Sequence, residues 1–209
     1  NRLSYKNRIN GTDISFRYYK KIFAKFNKRK KHECLLEGRK YLENIIQGNN
    51  KYYYVKNLSF SKKNNFKFLV NDKFKIVIYP HLFNDSVHTY GNHLFPDYFK
   101  WLEFLKLVIK TTNYDWYIKR HPDEDLYTKK IINQYVNSLT NLKSIPSSTS
   151  NSFIGKNIDF ALTLYGTIAS ELSYYGVKVI SASRNNPHVN YKFSINPKNF
   201  SEYKKFLLN

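Results

Sequence analysis

From Lys73 to the end of the chain, short apolar runs alternate with segments whose apolar residues recur every three or four positions. Such runs between polar turns read as buried strands, and the amphipathic segments as helices that cover them. The strands fall at Phe74–Tyr79, Trp116–Lys119, Leu142–Ile145, Ile158–Leu164 and Val177–Ser181. After Pro96 and Asp97, which can open a helix, Tyr98, Trp101, Leu102, Leu105, Val108 and Ile109 make the first helical stripe. Tyr127, Ile131, Ile132, Tyr135, Val136 and Leu139 make a second, and Ile168, Leu172 and Tyr175 a third. The expected fold over residues 72–209 is therefore α/β, a Rossmann-like parallel sheet of about five strands with helices on both faces.

Residues 1–71 lack this alternation and read as a basic, partly helical amino-terminal extension, the trailing part of a preceding domain and a linker. Its one helix is expected from about His32 to Ile46, with Gly48 ending it. The cluster Lys28-Arg29-Lys30-Lys31 before it reads as a solvated charge run. The chain begins at Asn1 and contains no methionine, so a piece of a longer protein is expected, with further chain upstream.

Apolar residues make up 42% of the sequence and aromatics 18%, too many for a chain that stays unfolded. No apolar run reaches the roughly 18 residues of a membrane-spanning helix. Cys34 is the only cysteine, which excludes an intramolecular disulfide or a multi-cysteine metal site and fits a cytoplasmic setting. The net charge of +20 favours anionic partners, including a peripheral contact with an anionic membrane surface. Lys, Asn, Ile, Tyr and Phe are over-used together, as expected of an AT-rich genome, so codon bias competes with function as the source of that charge.

In an open α/β sheet, ligands bind beyond the carboxyl ends of the strands, which makes the residues directly after each strand the informative ones. The loop after Tyr79 holds three of the chain's six histidines, His81, His88 and His93, together with Asp85 and Gly91. Their spacing matches no zinc pattern, so no metal is expected. Asp85 reads as a base or nucleophile with His88 as its proton-transfer partner, or else, with Asn84, as the cap of a turn.

The loop after the second strand runs Lys119, Arg120, His121, Pro122, cations placed to meet an anionic group. Pro122 is expected to start the next helix and to aim His121, whose protonated ring could neutralise or protonate a leaving phosphate. The loop after the fourth strand runs Gly166, Thr167, Ile168, Ala169, Ser170, Glu171. Backbone N–H groups with the Thr167 and Ser170 hydroxyls would hold a phosphate, Gly166 would let it approach, and Glu171 would accept from a ribose. The competing reading is ordinary capping by Thr167 with Glu171 as a dipole-favoured acid.

These segments (HLFNDSVHTYG, LFPDYFKWLEFL, WYIKRHPDE, LYGTIASELSYYGVKVI and NPKNFSEYKKFL) resemble, in order and spacing, the bacterial capsule polysaccharide biosynthesis family. That family includes Kdo transferases and is similar in its donor domain to polysialyltransferases. The resemblance covers about residues 75–209 and implies a GT-B glycosyltransferase whose second domain, the carboxy-terminal one, holds the nucleotide-sugar donor. It implies donor-phosphate contacts for His121 and Pro122 and for Gly166, Thr167 and Ser170, a nucleotide contact for Glu171, and no metal or other cofactor for catalysis. Lys119 joins the donor-binding set as the strand-end cation. The implied partners are a nucleotide-sugar, in several relatives CMP-linked, and a glycan or glycolipid acceptor, with no specific nucleic acid. Two further readings compete: a basic nucleic-acid-binding module using the Lys-rich, aromatic surface, and a GT-B-type nucleotide-sugar epimerase.

Overall fold

The computed structural model describes residues 8–9, 12–13, 15–47, 64–85, 93–184, 186, 188–189 and 191–208. The amino-terminal part contains a short antiparallel ladder, β1 (Arg8–Ile9) with β2 (Thr12–Asp13), and two helices, α1 (Ser15–Lys25) and α2 (Lys28–Ile46). Helix α2 begins earlier than the apolar spacing suggests, because the Lys28–Lys31 run forms its first turn. Positive charge opposes the dipole there, so the charge pattern argues against a start at that point. Asn27 supplies it instead, its side chain accepting the Lys30 N–H at 2.9 Å. At the other end Ile45 is buried, and Glu43 accepts from the Tyr174 hydroxyl at 3.4 Å.

The main sheet has six parallel strands: β3 (Lys75–Tyr79), β4 (Asp115–Lys119), β5 (Leu142–Ile145), β6 (Phe160–Thr163), β7 (Lys178–Ser181) and β8 (Ser194–Ile195). Their spatial order is β5-β4-β3-β6-β7-β8. Counted from the first strand of the sheet, this is the 3-2-1-4-5-6 order of doubly wound folds. The five strands read from the sequence are present, within two residues at each end. Strand β8 is the addition, and its two residues, Ser194 and Ile195, leave no apolar run to read.

Helices α3 (Tyr98–Thr111), α4 (Leu126–Asn137), α5 (Asn151–Gly155), α6 (Ile168–Tyr174) and α7 (Phe200–Leu208) cover both faces. Strand residues alternate between the two cores, as a period of two requires. Ile76, Ile78, Trp116 and Ile118 pack with α3, α4 and α7, while Val77, Tyr117, Ala161 and Val179 pack with α5 and α6. An extended segment also lies on the second face, with the Phe66 and Phe68 rings 5.8 and 4.9 Å from Tyr117. Trp101, Leu105, Ile109, Trp116 and Ile118 are fully buried. Burying each such side chain contributes about 1.5–3 kcal/mol, so this face anchors the strands whose ends carry the loops.

Candidate functional site

The carboxyl ends of β3, β4 and β6 open onto one cleft of about 400 Å³ at the point where the strand order reverses. In doubly wound sheets the two flanking connections leave on opposite faces at this point, which creates the crevice.

On the β4 side, Lys119 is buried and its ammonium donates to the Ser147 carbonyl at 2.6 Å. Burial lowers its pKa to about 8, against the opposing pull of Glu124, so it stays mainly charged at neutral pH. Arg120 donates from Nε to Glu124 at 2.7 Å and from Nη1 to Asn133 at 2.7 Å. Both cations are thus engaged inside the protein and act on the cleft chiefly through their field.

His121 is arranged differently. Its Nδ1 accepts the Asp123 backbone N–H at 3.1 Å, which places the ring hydrogen on Nε2. Burial, followed by the nearby His81, lowers its pKa. Protonating Nδ1 would also break the bond from Asp123. The ring is therefore a neutral Nε2–H donor, which corrects the expectation of an imidazolium. The helix expectation for Pro122 is corrected as well. Pro122 sits in a turn closed by Glu124 N–H to His121 O at 3.3 Å, and α4 starts only at Leu126, capped by Asp125 accepting from Thr128 N at 2.7 Å. A proline suits the second position of such a turn, and Asp125 is the better cap.

On the β6 side, Thr167 does not cap α6: its backbone is helical and its hydroxyl makes no capping bond. The hydroxyl donates instead to Glu171 Oε1 at 3.0 Å, while Asn151 donates to Oε2 at 3.3 Å. Burial raises the Glu171 pKa, and these two hydrogen bonds partly offset the rise. Ser170 donates to the Thr167 carbonyl at 2.7 Å and does not line the cleft. At Gly166 an added Cβ would come no closer than 3.7 Å to its nearest neighbour, the Thr163 hydroxyl.

On the β3 side, Pro80 and His81 follow Tyr79 directly into the cleft lining. The His81 ring stacks on Tyr98 with centroids 5.3 Å apart and planes within 4°, and lies 6.0 Å from the His121 ring. Asp85 does not line the cleft. Its Oδ2 stands 3.2 Å from His81 Nδ1, so it acts on the cleft through that ring. His88 and Gly91 lie outside the described residues. Among the described residues, no group of three His, Cys, Asp or Glu side chains could hold a metal ion.

The fold thus gathers Lys119, His121, Pro122, Gly166, Thr167 and Glu171 around one space and leaves Ser170 and Asp85 off its lining. Sequence reasoning gave no site role to Tyr79, His81 or Asn151. For His81 a signal existed, since it follows its strand as closely as His121 follows the neighbouring one. A donor and positive field on one side and a carboxylate on the other suit a ligand carrying both an anionic group and hydroxyls.

Strand order, parallel pairing and the cleft at the reversal define a Rossmann-like, doubly wound domain. In fold the chain is similar to Thermosulfurimonas dismutans KpsC, a beta Kdo 2,4 transferase, with a TM-score of 0.54 and 15% sequence identity. The match covers 81% of this chain and 50% of that one, so this chain spans about half the length of that structure. No family model matches the sequence. No curated protein matches it either.

Proposed function

We propose that this chain is the donor-binding part of a glycosyltransferase of surface, capsular polysaccharide biosynthesis, moving a sugar from a nucleotide-activated donor to a glycan or glycolipid. One observation carries the reading: the Nε2–H of His121 and the Thr167–Glu171 pair belong to the same cleft at the strand reversal. The His121 side suits the donor phosphate, with Lys119 and Arg120 adding positive potential behind it. The Glu171 side suits hydroxyls, which donate to a carboxylate where a phosphate would be repelled. Gly166 keeps the floor between them open. Likeness in fold to a beta Kdo 2,4 transferase adds to this reading, and the family resemblance of the sequence makes CMP-linked donors the first to test. The reaction belongs in the cytoplasm, where nucleotide-sugars are made, with the acceptor met at the inner membrane surface. No described helix is long and apolar enough to cross a membrane.

Thermal melting of the full-length protein with CMP, CDP, UDP and GDP tests the proposal. A nucleotide at a hundred times its Kd should stabilise the fold by about 2.7 kcal/mol. His121→Ala should lower turnover by about 10²- to 10³-fold, as expected for one lost donor to developing charge. Its stability cost should stay near ~1 kcal/mol, the Asp123 N–H losing its partner. Normal turnover in that variant, or no binding of any nucleotide, would refute the assignment.

A further inference from the structure

His81 and His121 lie side by side on the cleft lining, yet their Nδ1 atoms face opposite kinds of neighbour. Beside His81 Nδ1 stands the Asp85 carboxylate, its Oδ2 3.2 Å away, within ion-pair reach but not aligned as a hydrogen bond. A carboxylate oxygen can only accept, so in the neutral ring the hydrogen belongs on Nδ1, toward Asp85, and the lone pair on Nε2. At His121 a backbone N–H points at Nδ1, so its hydrogen sits on Nε2. Stacking on Tyr98 fixes the plane of the first ring, and the turn through Pro122 fixes the second. One cleft therefore contains a proton acceptor and a hydrogen-bond donor of the same residue type.

Resting on the transferase reading above, we propose that His81 is the general base, taking the proton of the incoming acceptor hydroxyl. As that O–H bond breaks, its oxygen bonds to the anomeric carbon of the donor sugar. The bond from that carbon to the phosphate oxygen breaks, and the electron pair leaves with the nucleotide, which accepts the hydrogen bond of His121 Nε2–H. The proton gained by His81 Nε2 creates an imidazolium backed by Asp85, an arrangement that stabilises the charge without moving the second proton. Among the described residues, the titratable groups facing His81 are Asp85 from its own loop, Tyr98 from α3, and His121 from the β4 loop with Lys119 behind it. Asp85 is a positioning residue here, because it reaches the cleft only through the ring.

Long-range proton–nitrogen spectra of the full-length protein should show His81 as the Nδ1–H tautomer and His121 as Nε2–H. The opposite form at His81 overturns the proposal. CMP, UDP and GDP serve as binding probes, with CMP-Kdo, UDP-N-acetylglucosamine and GDP-mannose as donors. His81→Gln should keep nucleotide affinity while losing about 10²- to 10⁴-fold in turnover, together with the acidic limb of the pH profile. Wild-type turnover, or a loss of affinity that matches the loss of turnover, removes the base role and leaves the transferase reading intact. A wild-type protein that binds none of the three nucleotides overturns both. If His81→Gln does not fold, Asp85→Asn decides: the acidic limb should move to lower pH at unchanged affinity, and an unmoved limb refutes the pairing.

Discussion

The Thr167 hydroxyl donates to Oε1 of Glu171 at 3.0 Å, so an exposed side chain at the rim of the cleft steadies a half-buried carboxylate one helical turn away. With Asn151 on the second oxygen, Glu171 has a fixed orientation before any ligand arrives. Orientation in advance lowers the ordering cost of binding.

A carboxyl whose folded-state pKa is raised by burial should cost stability once it ionises. Its favourable contribution is complete below the unfolded pKa and is lost as pH rises through the folded one. Glu171→Gln keeps an acceptor for Thr167 and removes the charge, so its melting temperature should match or exceed that of the wild type at pH 7. The difference should vanish on acidification below the ordinary carboxylate range. Nucleotide affinity should fall about tenfold, since a hydrogen bond to a charged group contributes roughly 1.5 kcal/mol or more. A variant less stable at pH 7 that still binds normally would contradict both expectations.

Gly166 has room for a side-chain carbon, the nearest neighbour being 3.7 Å away, and its backbone is not in the left-handed region. Gly166→Ala should therefore hold or gain about 0.4–1 kcal/mol of stability by restricting the unfolded chain. Under the proposed donor-binding role, the new methyl occupies space the donor would fill, so binding should weaken. Calorimetry with the nucleotide beside a denaturant melt separates the two effects, and unchanged affinity would remove Gly166 from the site.

Trp101 donates to the Tyr203 hydroxyl at 2.8 Å with both side chains fully buried, tying α7 to α3 across 102 positions of sequence. Tyr203→Phe leaves the indole N–H without an acceptor and should cost about 1–3 kcal/mol in urea unfolding. The same variant should leave nucleotide affinity untouched, because neither ring lines the cleft. A neutral result would show that α7 docks less tightly than this bond implies.

Periodicity determined much of this protein, because burying an apolar strand between two helical layers forces a pattern onto the side chains themselves. Ile76 to Tyr79 and the stripe from Tyr98 to Ile109 could be read that way, and His121, Thr167 and Glu171 stood out as the polar residues that follow such runs. Short elements left no pattern: β8 spans two residues, and α5 covers a single turn after Ser150. Strand order was decided only in three dimensions, since parallel strands pair through backbone groups that are the same for every residue type. That order places the β3 and β6 ends side by side and sets His81 against Tyr98 and His121. The imidazole states were likewise settled by neighbours, Asp85 and Asp123, presenting an acceptor to one Nδ1 and a donor to the other. In sequence each histidine simply follows a strand; which kind of group faces its ring nitrogen is decided only once the loops are folded.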